Sequence, residues 1–121
     1  MLYTLLIYQA EEVFDTFTEA DREAMLSGHR TLQQTAKAGG AFVLANELMR
    51  SDAATTVRLR ADQTTIVDGP FAETKEQLAG LYVVDCENLD GAIDLAKQIP
   101  NVRTGSIEIR PIAYFEGPPA G

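Results

Sequence analysis

Residues 67–78 decide the fold and read Val-Asp-Gly-Pro-Phe-Ala-Glu-Thr-Lys-Glu-Gln-Leu. The Asp-Gly pair turns the chain, because glycine accepts a positive φ and the aspartate carboxylate can bond to downstream amides. Pro70 then fixes its own φ and pushes Gly69 out of the α region. The pattern predicts a stiff loop that holds Asp68 and Phe71 in fixed directions, which suits a binding site. A well-made connection with no chemistry is the open alternative.

Three elements are predicted downstream of this loop. The first is an unbroken apolar run, typical of a strand covered on both faces, in which Gly80 suggests a bulge. The second is a helix with Asn88 as N-cap and one apolar stripe, ended by Pro100. The third alternates apolar and charged residues, as a half-exposed edge strand does. In order, they are Leu78 to Cys86, Leu89 to Ile99 and Gly105 to Tyr114.

The upstream half adds one helix and four strand-like segments. The helix is predicted from a capping box of Thr18 and Asp21, continues to about Ala38 and stops at a Gly-Gly pair. An acidic, irregular stretch before it, residues 9–17, is interpreted as a loop. The predicted strands are an apolar opening strand, a second strand and the two halves of a hairpin: Leu2 to Tyr8, Ala41 to Leu48, Thr55 to Arg60 and Thr64 to Val67.

This order of elements, β-α-β-hairpin-β-α-β, is the split βαβ arrangement of a ferredoxin-like α+β fold. It predicts an antiparallel sheet with the two unbroken apolar runs at its centre. Two helices cover only one sheet face, so a second copy of the chain is expected on the other face, giving a homodimer whose sheets pack face to face. The alternative is a monomer in which loop aromatics cover that face: Phe14, Phe17 and Phe71.

Composition narrows the function classes. The chain has 121 residues, enough for one domain, and its 18 acidic against 10 basic residues give a net charge of −8. This balance argues against nucleic acid or an anionic membrane as partner, since both require clustered Lys and Arg. The expected domain is residues 1–115, and the Gly- and Pro-rich tail, residues 116–121, is expected to be disordered. The apolar opening segment is too short for a signal peptide or a membrane span.

The sequence also lacks the residues of several familiar cofactor sites. Cys86 is the only cysteine, so an internal disulfide is excluded, which suits a reducing cytoplasm. We interpret Cys86 as a small hydrophobic residue. One histidine and one cysteine cannot form a zinc cluster. The Gly-Gly pair follows a helix instead of preceding one, so it makes no phosphate cradle. We therefore expect no metal and no nucleotide cofactor.

The single histidine lies at an unexpected place. Met25, His29, Leu32 and Ala36 are spaced to form the stripe of the first helix that faces the sheet. A core histidine satisfied by a backbone carbonyl or a water molecule is one interpretation. The other is that His29 borders a pocket and donates to a carboxylate, which would suit a general acid or base.

The motif Asp68-Gly69-Pro70-Phe71, with residues 72–78 after it, resembles the signature of DGPF-type proteins of the YCII-related family. The similarity extends to the opening and closing strands. The resemblance implies a ferredoxin-like α+β fold that pairs as a dimeric α+β barrel, mostly in bacteria. It implies little about the reaction, because most members have no assigned activity.

The resemblance also implies a candidate catalytic pair. YCII-type relatives have a histidine in the first helix paired with an acidic residue as their proposed catalytic centre, and His29 matches that position. Asp68 is the natural acid in a DGPF-type chain, because the turn fixes its direction. The family's other acidic position, just before a proline, is here Ile99 before Pro100. The sequence departs from the family's pattern at this position.

Four further residues are candidates for substrate binding: Phe71, Lys75, Tyr8 and Tyr82. Lys75 beside the rigid Phe71 could clamp a carboxylate, although a surface ion pair with Glu73 is the plainer interpretation. Tyr8 ends the first strand and Tyr82 lies within the third; either phenol could reach a pocket, although most strand tyrosines pack.

Three classes of function fit these residues. The first is a cofactor-free acid–base enzyme, an isomerase, lyase or hydrolase acting on a small organic molecule. The second is a ligand-binding or regulatory module that acts through its dimer or a protein partner. The third is an interaction protein whose dimer is its function. The sequence does not choose among the three reactions of the first class.

Overall fold

The computed structural model of the protein describes residues 1–118. Two 3₁₀ turns, Ser51–Ala53 and Pro100–Arg103, accompany nine helices and strands in this part of the chain. Of the expected disordered tail, residues 119–121 lie outside the described residues. In chain order the elements are β1 (Leu2–Gln9), α1 (Glu11–Asp15), α2 (Glu19–Ala38), β2 (Phe42–Glu47), β3 (Thr55–Arg60), β4 (Gln63–Asp68), β5 (Gln77–Asp85), α3 (Leu89–Ala96) and β6 (Ser106–Pro111).

The four principal strands form one antiparallel sheet in the order β2-β5-β1-β6. The two unbroken apolar runs, β1 and β5, are therefore the central strands, as predicted, and β6 is an edge strand. The hairpin of β3 and β4 is a separate two-stranded sheet. The mixed α+β architecture with an antiparallel sheet confirms the predicted fold class.

The two faces of the sheet differ in burial. Along β1, side chains on the helix side are buried, including Tyr3, Leu5 and Ile7, and those between them are half-buried. Helix α3 contributes Ala92 and Ala96 to the same core, and the short turn after it contributes Ile99. Within one chain, β1 is thus fully covered on one face only.

Helix α2 begins and ends where its caps require. Thr18 Oγ1 accepts a hydrogen bond of 3.1 Å from the Asp21 amide, and the Thr18 amide donates to Asp21 Oδ2 at 2.9 Å, completing the predicted capping box. At the other end Gly40 has φ of 75°, which lets the chain turn so that the Ala41 amide can reach the Ala36 carbonyl.

Two predictions about helices are wrong. Residues 9–17 are not all loop, because α1 occupies the middle of that stretch; Glu11 and Glu12 in its first turn suit the helix dipole. The structure consequently has three helices and not two. Helix α3 ends at Ala96, before Ile99, which instead precedes the 3₁₀ turn. No helix among residues 1–118 has the length and hydrophobicity of a bilayer span.

Two glycines allow backbone geometries that the sequence predicted, one in a turn and one at a β-bulge. Gly69 has φ of 105°, as the Asp-Gly turn requires. The register between β1 and β5 shifts by one residue opposite Ile7 and Tyr8, which confirms the bulge near Gly80. A Cβ atom on Gly80 would collide with the Asn46 carbonyl, so only glycine allows β2 to approach this closely.

Candidate functional site

A cavity of about 650 Å³ lies between α1, α2 and the helix side of the sheet. Its walls are mostly apolar, and its inner end carries four polar side chains. Charged side chains also line it: Arg22, Glu47 and Arg50. The main apolar side chains are Phe14, Phe17, Met25, Leu26, Phe42 and Leu48; the four polar ones at the inner end are His29, Gln33, Tyr82 and Asn101, and Asn46 also lines the cavity.

His29 is the centre of the polar end, and both of its ring nitrogens have side-chain partners. Nδ1 lies 2.7 Å from the Tyr82 hydroxyl, and Nε2 lies 2.8 Å from Asn101 Oδ1. The imidazole and phenol rings are almost parallel, at 9° and 5.9 Å between centroids. Gln33 Nε2 donates to the same hydroxyl at 3.2 Å. The predicted stripe of α2 does face the sheet, and its histidine borders a pocket.

Local sequence explains how these partners meet. Gly28 contacts Pro100 so closely that a Cβ atom there would lie 2.6 Å from Pro100 Cγ. The missing side chain therefore lets the 3₁₀ turn sit directly on α2, which places Asn101 beside His29. Tyr82 lies in the middle of β5, between Leu5 of β1 and Ala45 of β2.

The polar contacts continue into the core. Asn101 Nδ2 donates to Gln9 Oε1 at 3.4 Å, and Gln9 Nε2 donates to the Thr104 carbonyl at 3.1 Å. Thr104 Oγ1 also donates to Gln9 Oε1, at 2.7 Å. Gln9 is 0% exposed and Asn101 is 4% exposed. Every buried side-chain N or O atom in residues 1–118 has a hydrogen-bond partner, so the series is fully satisfied.

Burial sets the protonation of two nearby groups. It raises the pKa of the Tyr82 phenol above its ordinary value, and the hydrogen bond from Gln33 only partly offsets that rise. Tyr82 is therefore a neutral hydroxyl at neutral pH. Burial, together with the Asp85 charge, also raises the pKa of the Cys86 thiol. A protonated thiol that packs against the core fits the interpretation of Cys86 as a small hydrophobe.

The outer wall of the cavity is held by an ion pair. Arg50 Nη1 lies 2.7 Å from Asp15 Oδ1, and this hydrogen bond, followed by the charge of Arg50, lowers the pKa of the Asp15 carboxyl. Glu11 accepts from the Ser51 amide at 2.6 Å and from the Ser51 hydroxyl at 2.9 Å. These contacts fix α1 against the segment after β2. Within residues 1–118, Arg22 has no carboxylate within 4.0 Å.

Of the six candidate site residues, His29 and Tyr82 line the cavity. Asp68 is exposed at the end of β4, opposite Thr55. Because Tyr82 and Asn101 bond to both ring nitrogens, the His29–Asp68 pair is not made within one chain, and it stays a prediction.

The other three predicted substrate-binding residues lie elsewhere in the chain. Phe71 is 77% exposed, and its carbonyl accepts from Arg58 at 3.3 Å. Lys75 is exposed in the loop that follows. Tyr8 is half-buried on the helix-free face of the sheet, between Leu78 and Ser106. Their role in binding also stays a prediction.

Sequence reasoning missed most of the polar cluster. The burial of Gln9 could have been predicted, because every second residue of β1 points to the core, and Gln9 follows Tyr3, Leu5 and Ile7 at that spacing. The role of Asn101 could not have been predicted, because nothing local indicates that its partners are 72 and 92 positions away.

The chemistry of the site follows from its groups: an imidazole and a phenol that can exchange a proton, and amides that hold them in place. No group of three or more His, Cys, Asp or Glu in residues 1–118 could hold a metal ion.

Comparison with known proteins places the chain in a family. The family model of the YCII-related domain matches residues 1–116. The uncharacterized protein R00369 of Rhizobium meliloti (strain 1021) is 38% identical over 118 residues, which cover 96% of this chain and 95% of that protein. The match to the family model spans nearly every described residue, including the whole cavity. The chain belongs to the YCII-related domain family.

Proposed function

We propose that the cavity is a cofactor-free acid–base site for a small organic molecule, of the isomerase, lyase or hydrolase type. The observation that carries the proposal is the 2.7 Å hydrogen bond between His29 Nδ1 and the Tyr82 hydroxyl at the inner end of an apolar cavity. An imidazole joined to a phenol can take up and return a proton, and apolar walls exclude the water that would compete for it.

The surrounding side chains support such a transfer. Asn101 Oδ1 accepts from His29 Nε2–H, and it would stabilise the imidazolium that forms when Nδ1 gains a proton. Gln33 donates to Tyr82, and it would stabilise the phenol oxygen while its proton moves. The stacked rings keep the donor and acceptor in one geometry.

Exchange of carbon-bound hydrogen tests this proposal, because the exchange can be measured whatever the final product is. We expect the protein in D₂O to catalyse deuterium incorporation into some members of a panel of small ketones, phenols and hydroxy acids, followed by ¹H NMR. His29→Gln should lower that rate at least about 100-fold, which is the usual contribution of a general acid or base. The matched control is Arg30→Gln, on the exposed side of the same helix, which should keep the rate.

The outcome separates the first two function classes. Bound panel members that show no exchange above the uncatalysed rate would contradict the enzyme and favour a ligand-binding module. One feature of the site supports that alternative: Glu47 is the only carboxylate that lines the cavity in residues 1–118, and none contacts His29. A binding site needs no such carboxylate, whereas many acid–base enzymes use one to orient their histidine.

A homodimer remains our proposal for the assembly. Leu6, Leu44 and Leu81 share the helix-free face of the sheet and are only half-buried. Phe14 and Phe17 line the cavity on the helix side, so they leave that face open. A second sheet face is the natural cover for it.

Light scattering after gel filtration tests the dimer. We expect a mass of twice 13.2 kDa for the natural chain and of one chain for Leu6→Glu, because the charge would be buried against the second sheet. Leu89→Glu, at a position 49% exposed on α3, should stay dimeric. A one-chain mass for the natural protein at every concentration up to about 100 µM, well above the dissociation constant of a stable dimer, would contradict the proposal.

A further inference from the structure

Hydrogen bonds connect the Thr104 carbonyl to His29 through the side chains of Gln9 and Asn101, and we call this the polar series. The backbone carbonyl at its start determines which group donates and which accepts at every later step. The Thr104 carbonyl can only accept, so the group of Gln9 that faces it must be the amide nitrogen. Gln9 Oε1 then points toward the Thr104 hydroxyl and Asn101. Because Gln9 is fully buried, no water can replace these partners and let the amide turn over.

The side-chain amide of Asn101 connects Gln9 to His29, so the orientation of Gln9 also determines that of Asn101. Gln9 Oε1 accepts, so Asn101 must present its Nδ2 there and its Oδ1 to the imidazole. The reverse orientation would place two acceptor oxygens against each other inside the core. Since Asn101 Oδ1 cannot donate, the hydrogen between it and His29 belongs to Nε2.

A neutral imidazole carries one ring hydrogen, and the series assigns it to Nε2. His29 Nδ1 is therefore an acceptor, and the Tyr82 hydroxyl donates to it at 2.7 Å. Tyr82 has then used its only hydrogen. Toward Gln33 it accepts, because Gln33 Nε2 donates at 3.2 Å. One lone pair of the phenol oxygen remains for anything that enters the cavity.

We infer that the site takes a ligand that donates a hydroxyl hydrogen to Tyr82, and that the ligand is a phenol and not a carboxylate. A carboxylate has only lone pairs to bring to the free lone pair of the Tyr82 oxygen, whereas a phenol brings an O–H that can donate to it. The aromatic body of a phenol fits the walls formed by Phe14, Phe17 and Met25. The inference rests on the proposed function and names its ligand class.

Three matched probes test the inference by calorimetry or NMR titration. 4-Methylphenol can donate, 4-methylanisole has the same ring without the hydrogen, and 4-methylbenzoate is an acceptor-only anion. We expect 4-methylphenol to bind about tenfold more tightly than 4-methylanisole, the ratio for one net hydrogen bond, and more tightly than 4-methylbenzoate. Tyr82→Phe should remove the phenol preference, and Tyr114→Phe, at an exposed tyrosine outside the cavity whose hydroxyl donates to Glu116, should keep it.

The ring hydrogen can be observed directly, because His29 is the only histidine of the chain. A ¹⁵N spectrum at a pH at which the ring is neutral should show hydrogen on Nε2 and none on Nδ1. Hydrogen on Nδ1, or 4-methylanisole binding as tightly as 4-methylphenol, overturns the inference and leaves the acid–base proposal standing. If none of the three probes binds, the inference also fails, and the deuterium exchange of the wider panel then decides the proposed function separately.

Discussion

Replacing Gly105 with alanine should lower the free energy of unfolding by about 3 kcal/mol, the upper end of the range for overpacking a tight contact. Gly105 lies where β6 begins, against the end of β1. A Cβ atom there would overlap the Tyr8 carbonyl oxygen and lie 3.1 Å from the Tyr8 carbonyl carbon and 3.2 Å from Gln9 Cα. These atoms are backbone, so they cannot turn aside as the end of a side chain can.

Urea denaturation at fixed protein concentration measures the effect. We expect the midpoint to fall by about 1 to 3 M, from typical urea slopes for small domains. The matched control is Gly39→Ala: Gly39 has φ of −87°, and the nearest atom to its Cβ would be 3.6 Å away. That variant should stay within about 0.5 kcal/mol of the natural protein. Equal effects of the two changes would show that the approach of β6 to β1 is not tight.

The architecture could be predicted because its signals are local. Apolar runs identified β1 and β5, and the capping box and glycine pair bounded α2. Helix α1 was missed because it has five residues, too few for a repeating apolar stripe. The end of α3 was missed because the stripe continues to Ile99 through a hydrogen-bonded turn after the helix, in which the Ile99 amide donates to the Ala96 carbonyl and the side chain stays buried.

The candidate site could be predicted only in part, because its contacts are between distant residues. His29 was found from its place on the apolar stripe of α2. Its partners Tyr82 and Asn101 come from β5 and from the turn after α3, 53 and 72 positions later. The loop after β4 shows the opposite case. The turn at Gly69 follows from sequence, as its φ of 105° confirms, but the direction in which the loop holds Asp68 depends on the whole hairpin.

Replacing Gln9 with leucine should lower the free energy of unfolding by about 2 kcal/mol, because Asn101 Nδ2, in a residue that is 4% exposed, would lose its partner at about 1 to 3 kcal/mol. The Thr104 carbonyl and hydroxyl and Asn101 Nδ2 all contact this amide. Gln98→Leu is the matched control: its amide donates to the Asp94 carbonyl at the surface. Water can replace that contact, so the change should cost less than about 0.5 kcal/mol. A small effect at both positions would contradict the buried series.

The substitution Gln9→Glu keeps the shape and makes the series depend on pH. A protonated carboxyl can donate to the Thr104 carbonyl as the amide does, whereas an ionised one has only acceptors and is buried. Burial therefore raises the pKa of the introduced carboxyl above the value of about 4.3 that it has in the unfolded chain. The folded state then holds a proton that the unfolded state has lost.

Stability of the Gln9→Glu variant should therefore fall as pH rises, opposite to the usual behaviour of a carboxyl in an ion pair. Relative to the natural protein, the loss should begin near pH 4 and grow by about 1.4 kcal/mol per pH unit until the folded-state pKa is reached. Urea denaturation between about pH 4 and pH 8 measures the difference, in the range where buried carboxyls titrate. A difference that stays constant over this range would mean that water reaches Gln9. The hydrogen on His29 Nε2 would then no longer be fixed by the Thr104 carbonyl.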